Sequence, residues 1–124
     1  MADKEEKIFY IATCGGENPE KAAMPFVLAG AALAMDVKAT VCLQGQGVYL
    51  AQKGYVEHML PAGGFPPMKK LIQDFVELGG RLLVCVPCIK ERNIAETDLI
   101  GGAETTAAGA VNIEAMESDA VFVY

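Results

Sequence analysis

The chain has no tryptophan, a single histidine, and ten lysines and arginines set against sixteen acidic residues. The shortage of positive charge, a formal net charge of −6, excludes a nucleic-acid surface, since phosphate backbones are held by clustered Lys and Arg. The cations are scattered, and only Lys69-Lys70 and Lys90 with Arg92 lie close together. Long hydrophobic runs are also missing. The longest uncharged apolar stretch, Ala22 to Met35, is interrupted by Pro25 and Gly30 and falls short of the roughly 20 residues that span a bilayer. No export signal is expected either, because the start Asp3-Lys4-Glu5-Glu6-Lys7 is charged and leads into a strand, so the expected location is cytoplasmic. Cysteine is sparse and dispersed (Cys14, Cys42, Cys85 and Cys88), which rules out a disulfide scaffold. In a reducing compartment the roles left are packing, metal binding or thiol chemistry.

What is present is aliphatic. Apolar residues make up 52% of 124 residues and aromatic ones only 7%, so one domain over residues 1–124 has an Ala, Val, Leu, Ile and Met core. The positive mean hydropathy is high for a small monomer and points to apolar surface buried between subunits of a homo-oligomer.

Ile8–Thr13 reads as a strand buried on both faces, followed by Cys14-Gly15-Gly16. Asn18-Pro19-Glu20 then supplies an N-cap, a first-turn proline and a first-turn acid for a helix to about Met35. Val37–Leu43 is a second strand, ending in Gln44-Gly45-Gln46-Gly47, with a helical turn over Val48–Lys53 and an irregular stretch over Gly54–Pro66. Pro67 opens a helix that Gly79-Gly80 stops, and Arg81–Val86 is a third buried strand broken by Pro87. Asp98–Gly101 reads as a short edge strand, Thr105–Met116 as a helix and Ala120–Tyr124 as a last strand. Alternating strands and helices with short connections imply an α/β fold, a three-layer α/β/α sandwich around a parallel sheet. In such sheets ligands meet the carboxyl ends of the strands. Here those ends carry Cys14, then Gly45 and Gly47 after Cys42, then Cys85 and Cys88.

Cys85-Val-Pro-Cys88-Ile-Lys90-Glu-Arg92 is the strongest constellation. A thiol attacks as its thiolate, and cations such as Lys90 and Arg92 favour that form. Read by chemistry alone, Cys88 is favoured, in the turn beside the cations. The plain alternative is that both are small core residues. A zinc site would need Cys14, Cys85, Cys88 and His58 together, a spacing that matches no zinc module, so no metal is expected. Gly45 and Gly47 are explained by a tight turn and make no dinucleotide fingerprint, and His58 reads more readily as a surface histidine than as a proton shuttle.

Three stretches together resemble the DsrE/DsrF/TusD family of small sulfur-relay proteins. Lys7-Ile-Phe-Tyr-Ile-Ala-Thr-Cys-Gly-Gly, with the helix Phe26-Val-Leu-Ala-Gly-Ala-Ala-Leu-Ala-Met-Asp36, is similar to the family's opening strand and helix, Asp36 standing where glycine is usual. Ala39-Thr-Val-Cys-Leu-Gln-Gly-Gln-Gly-Val-Tyr-Leu-Ala51 is similar to its second strand and turn. Gly80-Arg-Leu-Leu-Val-Cys-Val-Pro-Cys-Ile-Lys-Glu-Arg-Asn-Ile94 resembles its third strand, with Asn93 in place of glycine. The resemblance implies a parallel sheet of about five strands in the order 4-3-2-1-5, assembled into trimers or hexamers. It also implies a sulfurtransferase or persulfide carrier that takes sulfane sulfur on Cys85 and passes it to a partner thiol. Cys88 would be a second or resolving thiol, with Arg92 and Lys90 stabilising the charge. The partners would be sulfur donor and acceptor proteins or small thiols, with no bound cofactor required. An oligomeric ligand-binding module with incidental thiols, or a dithiol redox protein, is the alternative.

Overall fold

The computed structural model describes residues 5–124, and the part of the charged start up to Lys4 lies outside them. Five strands form one parallel sheet in the order β4-β3-β2-β1-β5: β1 (Lys7–Ala12), β2 (Lys38–Leu43), β3 (Arg81–Cys85), β4 (Ala103–Thr106) and β5 (Ala120–Val123). Four helices connect them: α1 (Pro19–Ala34), α2 (Met68–Glu77), α3 (Val86–Glu91) and α4 (Ala108–Glu117). The architecture and strand order are those the family resemblance implies.

Alternation along the strands sorts their side chains into two layers. Tyr10 and Ala12 of β1, Val41 and Leu43 of β2, and Leu82 and Val84 of β3 share the larger core with α1 and α2, where Phe26 and Phe75 meet edge to face at 5.6 Å. Phe9, Cys42 and Leu83 point to the opposite face, where Val111 and Ala115 of α4 cover them. The only buried residue of α4 is Glu114. Its carboxylate accepts a hydrogen bond from the Thr40 hydroxyl at 3.1 Å and pairs with Lys7 at 3.3 Å and Arg81 at 3.5 Å. α4 is thus tied by charge to the first residues of β1 and β3 and by a hydrogen bond to Thr40 of β2, away from the strand ends that carry the cysteines.

Several boundaries differ from the sequence expectation. The fourth strand is Ala103–Thr106, not Asp98–Gly101. Glu96–Asp98 instead makes a 3₁₀ turn, Leu99 forms an isolated antiparallel bridge with Gln52, and Gly102, at φ +90°, turns the chain into β4. An edge strand reading Ala-Glu-Thr-Thr carries no apolar run to advertise itself. β3 ends at Cys85, not at Val86, and Val86 with the residues read as a turn after it forms the short helix α3, with Pro87 in its first turn where a missing N–H costs nothing. Gly45–Ala51 is a 3₁₀ helix that starts earlier than the turn expected over Val48–Lys53, and Val56–His58 adds another 3₁₀ turn to the stretch read as irregular.

The two departures from the family pattern have a common geometry. Asp36 and Asn93 are the only described non-glycine residues with positive φ, at 62° and 55°. Each follows a helix end closed by a six-to-one hydrogen bond, Val37 N–H to Ala32 C=O after α1 and Ile94 N–H to Ile89 C=O after α3. That closure needs a left-handed residue, for which glycine is best suited.

Candidate functional site

Cys85 is the last residue of β3 and caps α3 with extended backbone (φ −67°, ψ 119°), while Cys88 sits in the first turn of α3. This strand-to-helix change of direction folds the intervening Val86-Pro87 aside. The two sulfurs are brought to 3.0 Å, with the Cys88 thiol donating to Cys85 Sγ. Both residues are half-buried and both thiols are free.

The turn after β2 completes the surroundings. The Gly45 N–H donates to Cys88 Sγ at 3.3 Å, across a sequence separation of 43 residues. Gly45 sits at φ +53°, in the left-handed region. Gly47 has no room for a side chain, because a Cβ there would run into the carbonyl oxygen of Ala12. The turns after β1 and β2 are therefore packed backbone against backbone, a Cβ on Gly15 likewise meeting Gln46 O at 2.6 Å. That close packing holds the Gly45 amide in place over the sulfur.

Electrostatics at the pair are mixed. Burial pushes the Cys85 thiol up, and the proton shared with Cys88 and the proximity of its sulfur add to this, while the Cys88 backbone N–H and the charge of Arg92 pull it down; the net direction is upward. Cys42, wholly buried on the opposite face of β2, is pushed up to about 12, first by burial and then by the nearby Cys85 and Cys88. It is held as a neutral thiol.

Arg92 is fixed from two sides. Its Nη1 donates to the Cys88 carbonyl at 3.1 Å, and its guanidinium carbon lies 5.9 Å from the centroid of the Tyr49 ring. Tyr49 stacks in turn on Tyr55 at 5.4 Å, and the Tyr55 hydroxyl accepts the Gly16 N–H at 2.9 Å. The sequence does not mark Tyr49 and Tyr55 as site residues, since they lie in segments with no clear periodicity and only the tertiary fold brings Tyr49 under Arg92 and Tyr55 against Tyr49.

The remaining candidates are dispersed. Lys90 is exposed on α3, and the cation acting on Cys85 is Arg92. Cys14 is half-buried at the end of β1, two strands from β3 in the sheet. His58 is exposed and lines a cleft of about 470 Å³ with Gly16, Pro19, Tyr55, Met59 and Leu60. The four residues weighed as zinc ligands do not converge, and no three His, Cys, Asp or Glu side chains gather as a metal site among the described residues. Nor is any helix among those residues long and apolar enough to cross a membrane.

Comparison with known proteins places this geometry in a family. The DsrE/DsrF-like family matches residues 6–124. The chain belongs to that family. Among curated relatives it is 36% identical over 106 residues to the uncharacterized protein MJ0760 of Methanocaldococcus jannaschii, with 85% of this chain but only 38% of that protein covered. It is 30% identical over 109 residues to the uncharacterized protein MJ0989 of the same organism, covering 88% of this chain and 90% of the relative. The chain thus spans well under half the length of the first of these relatives and most of the second. Among solved structures, the fold is similar to the ychN protein from E. coli, with a TM-score of 0.81 at 18% identity over 96% of this chain and 99% of the other. It is also similar to MTH1491 of Methanobacterium thermoautotrophicum, a protein of unknown function, with a TM-score of 0.69 at 13% identity and the same coverage. At these identities the likeness is one of fold.

Proposed function

We propose that this DsrE/DsrF-like protein is a persulfide sulfur carrier or sulfurtransferase acting through Cys85, with Cys88 as its resolving thiol. The observation that carries the reading is the pair of free sulfurs 3.0 Å apart at the end of β3, under the Gly45 amide. Family membership supports it, the family being one of sulfur-relay type. As a thiolate, Cys85 attacks the outer sulfur of a donor persulfide R–S–SH. The donor S–S bond breaks, R–S⁻ leaves and is protonated, and Cys85 holds the new persulfide. An acceptor thiolate can then take the outer sulfur and restore Cys85. In the absence of an acceptor, the Cys88 thiolate attacks the inner sulfur, expels HS⁻ and leaves a Cys85–Cys88 disulfide that an external dithiol must reduce. The donor is a protein or small-molecule persulfide, and the acceptor a protein or small-molecule thiol.

Incubation with a persulfide donor followed by intact-protein and peptide mass spectrometry tests this. The expected product is an addition of about 32 Da, one sulfur, on Cys85 that persists in Cys88→Ala and is absent in Cys85→Ser. No adduct on Cys85 in Cys88→Ala, where the discharge to a disulfide is blocked, would sink the proposal. A disulfide formed with oxidants but never with a sulfur donor would favour the second reading, a dithiol redox protein, which the short sulfur separation also supports.

A further inference from the structure

Four contacts run in series from Arg92 to Gly16, and two of them join segments far apart in the chain. Arg92 reaches back from the end of α3 to the carbonyl of Cys88, lies over the ring of Tyr49 from the 3₁₀ helix after β2, and Tyr49 is braced by Tyr55, whose hydroxyl is anchored on Gly16. The anchor has close tolerances, since a Cβ on Gly16 would lie 2.6 Å from the Tyr55 hydroxyl. Arginine is long and flexible, and a guanidinium free in solvent spreads its charge over many positions. Seated on an aromatic face and bonded to one carbonyl, it is confined to one.

We infer that Tyr49 is a positioning residue for the sulfur site: its ring, braced by Tyr55, holds the Arg92 guanidinium where its charge bears on Cys85. This rests on the reading of Cys85 as the reactive thiol and adds a role that charge counting alone does not assign. The titratable and charged groups acting on Cys85 are Cys88 and Arg92, both from α3 and its end, while Lys90 and Glu91 are exposed. Because Tyr49 is needed for its π face and not for its hydroxyl, phenylalanine should replace it and aliphatic residues should not.

The experiment is the rate of iodoacetamide alkylation at Cys85, read peptide by peptide by mass spectrometry from pH 6 to pH 10. It compares the native protein with Tyr49→Phe, Tyr49→Leu, Arg92→Gln and the double variant Tyr49→Leu/Arg92→Gln. Expected are a profile displaced to higher pH and a rate about threefold lower at pH 7.5 in Tyr49→Leu and in Arg92→Gln, the size one cation–π contact can enforce. Tyr49→Phe should follow the native profile, and the double variant should be no slower than either single one. If Tyr49→Leu fails to fold by circular dichroism, Tyr49→Met supplies the same comparison with an unbranched side chain that has no π face. An unmoved profile in the aliphatic variant alongside a displaced one in Arg92→Gln would overturn the inference, and so would additive effects in the double variant. Alkylation involves no sulfur donor, so its outcome stands apart from whether Cys85 accepts sulfane sulfur.

Discussion

A thiol enclosed by aliphatic side chains keeps its proton further up the pH scale than one in water, and Cys42 is the clearest instance here, pushed up to about 12 by burial. The unfolded chain releases that proton near the ordinary thiol value of about 8.5, so between there and about 12 the folded state binds more protons than the unfolded one. The stability from the buried thiol is fully present below about pH 8.5 and declines by about 1.4 kcal/mol per pH unit above it. Cys85, also raised, contributes in the same direction. Cys42→Ala should cost about 1–2 kcal/mol at pH 7 through the cavity it leaves. Urea melts at pH 7, 9 and 10 should show that deficit shrinking by about 2 kcal/mol by pH 10, as the native protein loses what the variant never had. A deficit independent of pH would contradict the burial argument.

Among the elements, the helix ends are where composition and conformation disagree. α1 and α3 both close through a left-handed residue, and this chain supplies Asp36 and Asn93 in place of glycine. Asparagine tolerates that region better than aspartate, and glycine better than either. Asp36→Gly and Asn93→Gly should each stabilise the fold by about 0.5–1 kcal/mol, Asp36→Gly the more, seen as a raised Tm. Asn93→Gly is also informative about the site, because Asn93 directly follows Arg92, whose hydrogen bond to Cys88 the relaxed helix end should leave in place. These two positions, legible from the sequence as departures from a pattern, acquired a physical meaning only when their φ values were known.

At the scale of the whole molecule, apolar side chains are left exposed at several places, α4 and the edge strand β5 among them. α4 exposes Ile113 and Met116, the latter 81% accessible, and the edge strand β5 exposes Val121, Phe122 and Val123, the last 67% accessible. β5 has a neighbour on one side only, β1, so its other edge offers unpaired backbone groups as well. The proposed homo-oligomer, a trimer or hexamer, would bury the apolar residues of α4 and β5. Light scattering coupled to size exclusion is expected to give a multiple of the 13.1 kDa chain. Met116→Glu with Val123→Glu should shift it towards the monomer without lowering secondary-structure content. A native protein that is monomeric at micromolar concentration would refute the assembly.

The sequence alone determined the run from β1 through α1, β2 and α2 to β3, because those strands are continuous apolar runs and α1 and α2 carry caps and breakers at their ends. It also determined the Cys85 and Cys88 pair, whose spacing across a strand end is a local property. The exposed edge strand β4 and the short α3 were not legible: one lacks an apolar run, and the other is too brief for a period to register. Tertiary structure alone decided that Gly45 donates to Cys88, that Cys42 is sealed on the opposite face, and that Arg92 answers to Tyr49. Each is a contact between segments distant in the chain, set by strand order and by the packing of two glycine turns, and no window of sequence contains both partners.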